Sequence, residues 1–597
     1  MAPMDSSAGT NEGAEGADRV PGSPGIAEPH PPIRRFLLAS GLFFAGWLLS
    51  TYLSNFVFGK ARALGHLFFV EQDLPVLVLS TVALLAFALL PRGGKVCERL
   101  PSARVLAAAL LLVVLWTWAG RTVVFRDYSL SRDEEMAEFG ATYLGRGEMG
   151  LPIPTEWRDY RHAMMPLYSS PYGADKSWAS TYLPFNSLWR GFVGRIADPD
   201  LANPLLLALG LFALWRVARR LFPDRPDAVW VTMLLALTSA QLLTMTMTAY
   251  AMTGHFALNL VWLWLLLRDD WRGHAGAALL AIVIGGLHRW HFVLLFTLPF
   301  MLWLLLRRRF GPLALHLTAL AATVVLWAKL YPLIMSETLG KVPFVPAKVT
   351  IAKGVVKKVP SVFRRFERFK PMLNLGRFFA WNNILLLPLA ALGMAGLRPR
   401  PALRGEGVVL PLGLGCLIGF ALCIDQGHGW GYRYLHGQIG PLCLLAGFGW
   451  IRLAGTPARL SRRPALLAAG LALICTAFLT WQAHRFVAPY SKAYAMIRAS
   501  GADVVVVDRR GGAFMQDVVR FDEGKLTRPI IMDLAQLKKS QIDALCARYD
   551  VALFEAKDFL PLGVRAADAK FVGVKHNASH VDYMRSIGCG RDVGSRR

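Results

Sequence analysis

Residues 125–147, FRDYSLSRDEEMAEFGATYLGRG, include the acids Asp127, Asp133 and Glu134. They directly follow an apolar run long enough to cross a bilayer. From Ser131 the pattern turns helical, with Met136, Phe139, Tyr143 and Leu144 on one apolar face and Gly145 or Gly147 available to end it. Such a helix lies at a membrane surface with Asp133 and Glu134 at its start. Ser131-x-x-Glu134 also reads as a capping box, and acids favour helix N-termini in any case. The two readings are compatible, because Glu134 can cap while Asp133 faces a site.

Cations gather at three further places. The first is His428-Gly-Trp-Gly-Tyr432-Arg433-Tyr, just before a late apolar run. The second is His288-Arg289-Trp290-His291, a turn between two short apolar runs. The third is the stretch 332–376, where Phe363, Phe366 and Phe369 alternate with Arg364, Arg365, Arg368 and Lys370, and Lys357 and Lys358 stand just upstream. Each has a plain reading beside a functional one. Arg433 sits among aromatics of the kind that line membrane interfaces, and the 363–370 repeat suits a basic helix lying on lipid headgroups. An Arg at the 288–291 turn, close to bilayer depth, is costly unless it is paired or lines a wet cavity.

The elements that position these residues are mostly membrane spans. The chain has 597 residues, 54% of them hydrophobic, and a mean hydropathy of +0.39. Apolar runs recur at roughly 36–58, 74–91, 104–122, 201–219, 228–249, 254–268, 275–288, 291–306, 313–331, 377–397, 408–425, 434–453 and 465–484, about 13 spans in all. A net charge of +26 would suggest nucleic acid in a soluble chain. Here the arginines cluster between apolar runs, as positive-inside topology predicts, and no zinc-knuckle or RNA-binding signature is present. If every short basic connection is cytoplasmic, an even number of spans must separate each from the next, and the span list obeys this throughout. It sets 123–200, 332–376, 426–433 and everything after about 485 outside. The basic loop 332–376 is the exception to the charge rule.

The expected domains are a disordered cytoplasmic tail at 1–33, a transmembrane domain at 34–485 and an extracytoplasmic α/β domain at 486–597. In the last, VVVVD (503–507), RPIIMD (528–533) and DVALFE (550–555) read as short buried strands and LKKSQIDALCARY as an amphipathic helix. Cys546 and Cys589 could pair there, which spacing alone leaves open. Cys416, Cys423, Cys443 and Cys475 fall in apolar runs and read as packing residues.

A span, then an outside loop opening with Asp-Glu and a surface helix, resembles the GT-C glycosyltransferase superfamily, which includes protein O-mannosyltransferases and bacterial aminoarabinose transferases. TYLPFNSLWRGFVGRI is similar to the family's Pro-Pro-x-Tyr surface segment, reduced here to Tyr182 and Pro184. LLLALGLFALWRVARRLFPD resembles the span that follows, and 428–434 the Gly/Trp-rich segment ending in an Arg. The likeness covers roughly residues 104–485. It implies an all-α polytopic fold and an inverting sugar transfer from a polyprenyl-phosphate donor to a lipid, glycan or protein acceptor. The family's catalytic base maps to Asp133, with Asp127 as fallback and Glu134 as helper. Arg433 leads the donor-phosphate ligands, with His428, Tyr432, Arg289, His291, His255, Lys357 and Lys358 as further candidates.

One departure concerns metals. Some members carry a second acid near the start of a middle span, whereas TAYAMTGHFALN offers Thr253, His255 and Asn259. That weakens the case for a carboxylate-bound metal, although a divalent cation remains compatible. No cofactor motif, Walker loop or HExxH is present. A transporter or flippase of lipid-linked sugars, or a non-catalytic scaffold, are the competing readings. High Ala, Leu, Gly and Arg usage points to a bacterial inner membrane, with the site facing the periplasm.

Overall fold

The computed structural model describes residues 31–57, 66–89, 100, 102–164, 169–172, 176–340, 370–395, 406–422, 426, 428–454, 463–520, 526–566 and 579–592. The expected tail lies almost wholly outside them, as do Lys357, Lys358 and most of the basic stretch 363–370.

The chain opens with α1 (Pro31–Tyr52), α2 (Leu74–Leu89) and α3 (Ala103–Phe125). The surface helix α4 (Arg132–Leu144) follows, then a three-stranded antiparallel sheet of β1 (Leu151–Pro152), β2 (Ser169–Tyr172) and β3 (Ser177–Ser180), with β3 central, and the short helix α5 (Phe185–Val193). The middle of the bundle is α6 (Ala202–Leu221), α7 (Pro226–Leu237), α8 (Ala240–Thr246), α9 (Met252–Leu266), α10 (Trp271–Gly285), α11 (His291–Leu306), α12 (Phe310–Val325) and α13 (Tyr331–Leu339). Then come α14 (Lys370–Ala380), α15 (Leu386–Met394), α16 (Val409–Leu422), α17 (Ile439–Ala454) and α18 (Arg463–Arg498).

Every expected span falls on one or more of these helices. Among the described residues, 6 helices are long and apolar enough to cross a membrane alone, or 7 if α7 and α8, bent by 49°, are one span. The remainder are shorter apolar helices whose burial against neighbours replaces length. Only 17% of the apolar window of α3 is buried inside the protein, against 67% for α6. Leu111, Leu112 and Val123 of α3 are exposed, a pattern that suits lipid rather than water. The chain is a multi-pass membrane protein.

The C-terminal part is the expected small α/β unit. Strands β4 (Val504–Val507), β5 (Ile530–Asp533), β6 (Val551–Phe554) and β7 (Arg591–Asp592) form a parallel sheet in the order β5-β4-β6-β7. Helix α19 (Lys539–Arg548) carries the β5-to-β6 crossover, and α20 (Ser579–Ser586) precedes β7. Strands β4, β5 and β6 are buried on both sides, which explains why they read as continuous apolar runs. Cys546 of α19 and Cys589 before β7 are disulfide-bonded, with Cα atoms 5.8 Å apart. Cys416, Cys443 and Cys475 are free and buried, in line with packing. Helix α18 runs through position 486 without a break, so bundle and sheet share one continuous helix.

Two glycines set the tightest contact in the bundle. A Cβ on Gly393 of α15 would lie 2.1 Å from the Leu445 carbonyl oxygen, and one on Gly449 of α17 would lie 1.9 Å from that of Leu389. The clash is with backbone, so no side-chain rotation relieves it. Gly449→Val should therefore destabilise the purified protein by about 3 kcal/mol through overpacking. A melting midpoint equal to the parent's would refute this close approach.

Candidate active site

Helix α4 begins with the serine half of the expected capping box. Ser131 is the N-cap, in extended conformation, and its hydroxyl accepts from the Glu134 N–H at 3.4 Å. Met136, Phe139 and Tyr143 are buried on one face. Gly145 ends the helix, and a Cβ there would lie 3.4 Å from the Cα of Gly191 in α5. The two surface helices therefore touch, and this fixes the first turn of α4 over the end of the bundle.

At that first turn Asp133 makes two side-chain contacts. Its Oδ1 accepts from the Tyr182 hydroxyl and its Oδ2 from the Arg433 guanidinium. The two side chains of the ion pair are 14% and 11% exposed. Tyr182 in turn packs on His288, ring centroids 4.7 Å apart. The Arg433 guanidinium lies 5.2 Å from the ring centre of Tyr250 and 5.3 Å from that of Tyr434. Burial alone would raise the Asp133 pKa, but Arg433 and the Tyr182 hydroxyl outweigh it and hold the carboxyl below its ordinary value. Asp133 is thus ionised at neutral pH. Together with Tyr182, Tyr250 and His288 it borders a small cavity that also takes in Asn186 and Met252.

A second charged layer stands behind the first. Glu138 accepts from Arg121 at 2.7 Å and from Ser129 at 2.6 Å. Burial raises its pKa, yet Arg121 and Arg190 more than offset this and keep it low. Glu134 and Glu135 lack such compensation. Burial pushes Glu134 up to about 8 against the pull of Arg121, and Glu138 and Asp133 add to the rise. Burial likewise pushes Glu135 up to about 8 against Arg520, with Asp517 adding to it. Each keeps one carboxyl oxygen with no hydrogen-bond partner among the described residues.

The C-terminal unit closes this layer. Asp517 accepts from Arg132 at 2.9 Å. Arg520 donates to the Ser129 carbonyl at 2.6 Å and lies 4.0 Å from the Tyr128 ring centre. The Tyr128 hydroxyl reaches the Asp517 carbonyl at 3.1 Å. The start of α4 is therefore clamped between bundle and C-terminal unit.

The structure brings together some of the sequence candidates and separates others. Asp133 and Arg433 meet directly, and Glu134 is buried one residue on. Asp127 does not join them: Arg126 and Asp127 take left-handed backbone conformations at the end of α3 (φ 55° and 53°), and Asp127 points outward, accepting from Thr122 at 2.8 Å. His428 is buried in an aromatic cage, stacked on Phe486 at 5.4 Å with Trp430 and Phe514 edge-on. Burial there pushes the imidazole down to about 3, with Arg377 and Arg433 acting in the same direction, so it is neutral. Tyr432 is buried and its backbone is gripped by Gln241. His255 is buried in α9 against Phe292 at 5.3 Å, whereas Arg289, in the turn before α11, and His291, the first residue of α11, are exposed. Lys357 and Lys358 lie outside the described residues. Tyr250 is a site residue the sequence reading passed over, and Tyr182 was noted only for its motif. Among the described residues no group of three His, Cys, Asp or Glu side chains could hold a metal ion.

No protein-family model matches the sequence, and no curated protein matches it. Solved structures similar to it include ArnT from Cupriavidus metallidurans in the apo state, at 13% identity and TM-score 0.45, covering 70% of this chain and 85% of that one. ArnT from the same organism bound to undecaprenyl phosphate is similar at 14% identity and TM-score 0.48, covering 77% and 95%. The arabinofuranosyltransferase AftD from Mycobacteria follows at 14% identity and TM-score 0.35, covering 70% of this chain and 30% of that one.

The raised carboxyls make the clamp sensitive to alkali. A carboxyl whose folded pKa exceeds its unfolded value stabilises fully below the unfolded value, and that contribution is lost as pH rises through the folded one. For Glu135 the window runs from 4.5 to about 8. The melting temperature should fall between about pH 4.5 and pH 8, and Glu135→Gln should flatten that fall. An identical pH profile in the variant would show that Glu135 does not titrate in this window.

Proposed function

We propose that this protein is an inverting glycosyltransferase that moves a sugar from a polyprenyl-phosphate carrier to a lipid, glycan or protein acceptor at the extracytoplasmic membrane face. The observation that carries the reading is the Asp133 carboxylate, held by Tyr182 and facing the Arg433 guanidinium at one end of an apolar helical bundle. A base and an anion-binding cation stand together where a lipid head group would lie.

The chemistry divides between the two. Asp133 accepts the proton of the acceptor hydroxyl as that oxygen attacks the anomeric carbon. The bond from that carbon to the phosphate oxygen breaks, and its electron pair leaves on the lipid phosphate. Arg433 balances the charge that develops there, with hydrogen bonds of the charge-assisted kind. Tyr182 keeps the carboxylate oriented.

In the free protein the base and the phosphate ligand are paired with each other. That pairing lowers the basicity of Asp133. A donor phosphate competes for Arg433, and once it takes the guanidinium the carboxylate recovers its basicity. Donor binding thus readies the base, and an acceptor bound first meets a weak one. Supporting the reading further, ArnT from Cupriavidus metallidurans has been solved with undecaprenyl phosphate.

Reconstitution with radiolabelled polyprenyl-phosphate sugar tests the proposal. Released lipid phosphate together with labelled acceptor supports transfer, and intact labelled lipid crossing the bilayer would support a flippase instead. Asp133→Asn should lower turnover by about 10²–10⁴-fold, and should also lower the melting temperature, because the buried Arg433 charge loses its partner. Near-normal turnover in that variant would refute the base assignment. Asp127→Asn should transfer at the parent rate. Arg433→Ala should weaken donor use, and unchanged donor kinetics would remove Arg433 from the site.

A further inference from the structure

Arg377 lies on α14, far in sequence from the acids and from the 428–434 loop. It is 5% exposed, its guanidinium sits 4.0 Å from the ring centre of Phe68, and its Nε and one terminal nitrogen find no hydrogen-bond acceptor among the described residues. The neighbouring acid, Asp73, accepts instead from the Trp381 indole at 2.9 Å. A buried arginine with open donors is costly unless an anion or a wet cavity meets it.

Other donors nearby share this condition. Trp430 is fully buried and its indole N–H has no partner among the described residues, nor has Arg433 Nε, nor either ring nitrogen of His428. The His428 and Trp430 rings are 5.0 Å apart, and the Trp430 and Trp381 rings 6.2 Å. The Phe68 ring that carries Arg377 lies 5.8 Å from the His428 ring, so Arg377 on α14 and the 428–434 loop that holds Arg433 approach one place from different elements. The chemistry they share is donation to an anion with several oxygens.

We infer that Arg377 and the Trp430 indole, with Arg433, form the pocket for the phosphate of the lipid carrier, Arg377 holding the anion while Arg433 exchanges it for Asp133. This rests on the proposed transfer reaction. It adds a cation from a separate helix that keeps hold of the leaving group when Arg433 returns to the base.

The test is binding of a fluorescent polyprenyl monophosphate to the full-length protein in lipid nanodiscs, with unlabelled polyprenol and inorganic phosphate as competitors. Arg377→Gln should weaken binding about tenfold or more, as expected for a lost charge-assisted contact. Trp430→Phe keeps the ring, loses the N–H, and should weaken binding about threefold. Polyprenol should compete poorly. If Arg377 serves only to balance Asp73, the double variant Arg377→Gln/Asp73→Asn will bind like the parent, which would overturn the inference. That variant and Trp430→Phe also carry the test if Arg377→Gln fails to fold. Inorganic phosphate competing as well as the lipid would overturn the assignment to a lipid carrier. Parent-like binding in Arg377→Gln beside lost binding in Arg433→Ala would sink this pocket alone. A parent that binds no lipid phosphate would sink the transfer reaction with it.

Discussion

The ion pair between Asp133 and Arg433 is the constraint on which the rest of the site depends. Each charge is largely withdrawn from water, and neither could stay there without the other. The fold devotes several elements to bringing them together. Gly429 and Gly431 bend the loop through positive φ (152° and 67°), and a Cβ on Gly431 would lie 2.6 Å from Gln241 Oε1. Gln241, on α8 inside the bundle, donates to the Tyr432 carbonyl at 2.9 Å and accepts from its N–H at 3.2 Å. Gln426 accepts from the Arg433 N–H at 2.7 Å. The direction of Arg433 is therefore written into the backbone rather than left to rotamer choice.

On the acidic side the anchoring comes from farther away in sequence. The first turn of α4 is capped locally by Ser131, but its register against the bundle is held by Arg132, Tyr128 and Ser129 binding the segment around Asp517 and Arg520. Arg565 adds a bidentate pair to Glu71, at 2.9 and 2.7 Å, between the C-terminal unit and the helical segment His66–Asp73 that leads into α2. The C-terminal unit is thus part of the wall of the site.

Much of this was legible in the sequence because it is local. A Ser cap, acids in a first turn and an apolar face at helical spacing identify α4 without tertiary knowledge, and parity of basic loops located the turn at 288–291. The parallel strands announced themselves as unbroken apolar runs. What escaped was pairing across distance. Nothing near Tyr250 or Arg377 marks them as neighbours of residue 433, because their approach is made by helix packing. Asp127 stood as the fallback to Asp133 in the linear chain, and a left-handed turn at Arg126 and Asp127 directs it away. The β1–β3 sheet was missed because its strands are short and carry little alternation, and the two-residue strand β7 is too brief to signal itself.

Helix α18 spans 36 residues and carries the chain from the bundle to within a short turn of β4. A loop would let the outer unit swivel; an unbroken rod of about 54 Å does not. The clamp at Asp517 and Arg520 therefore sits at a distance from the bundle set by the length of one helix.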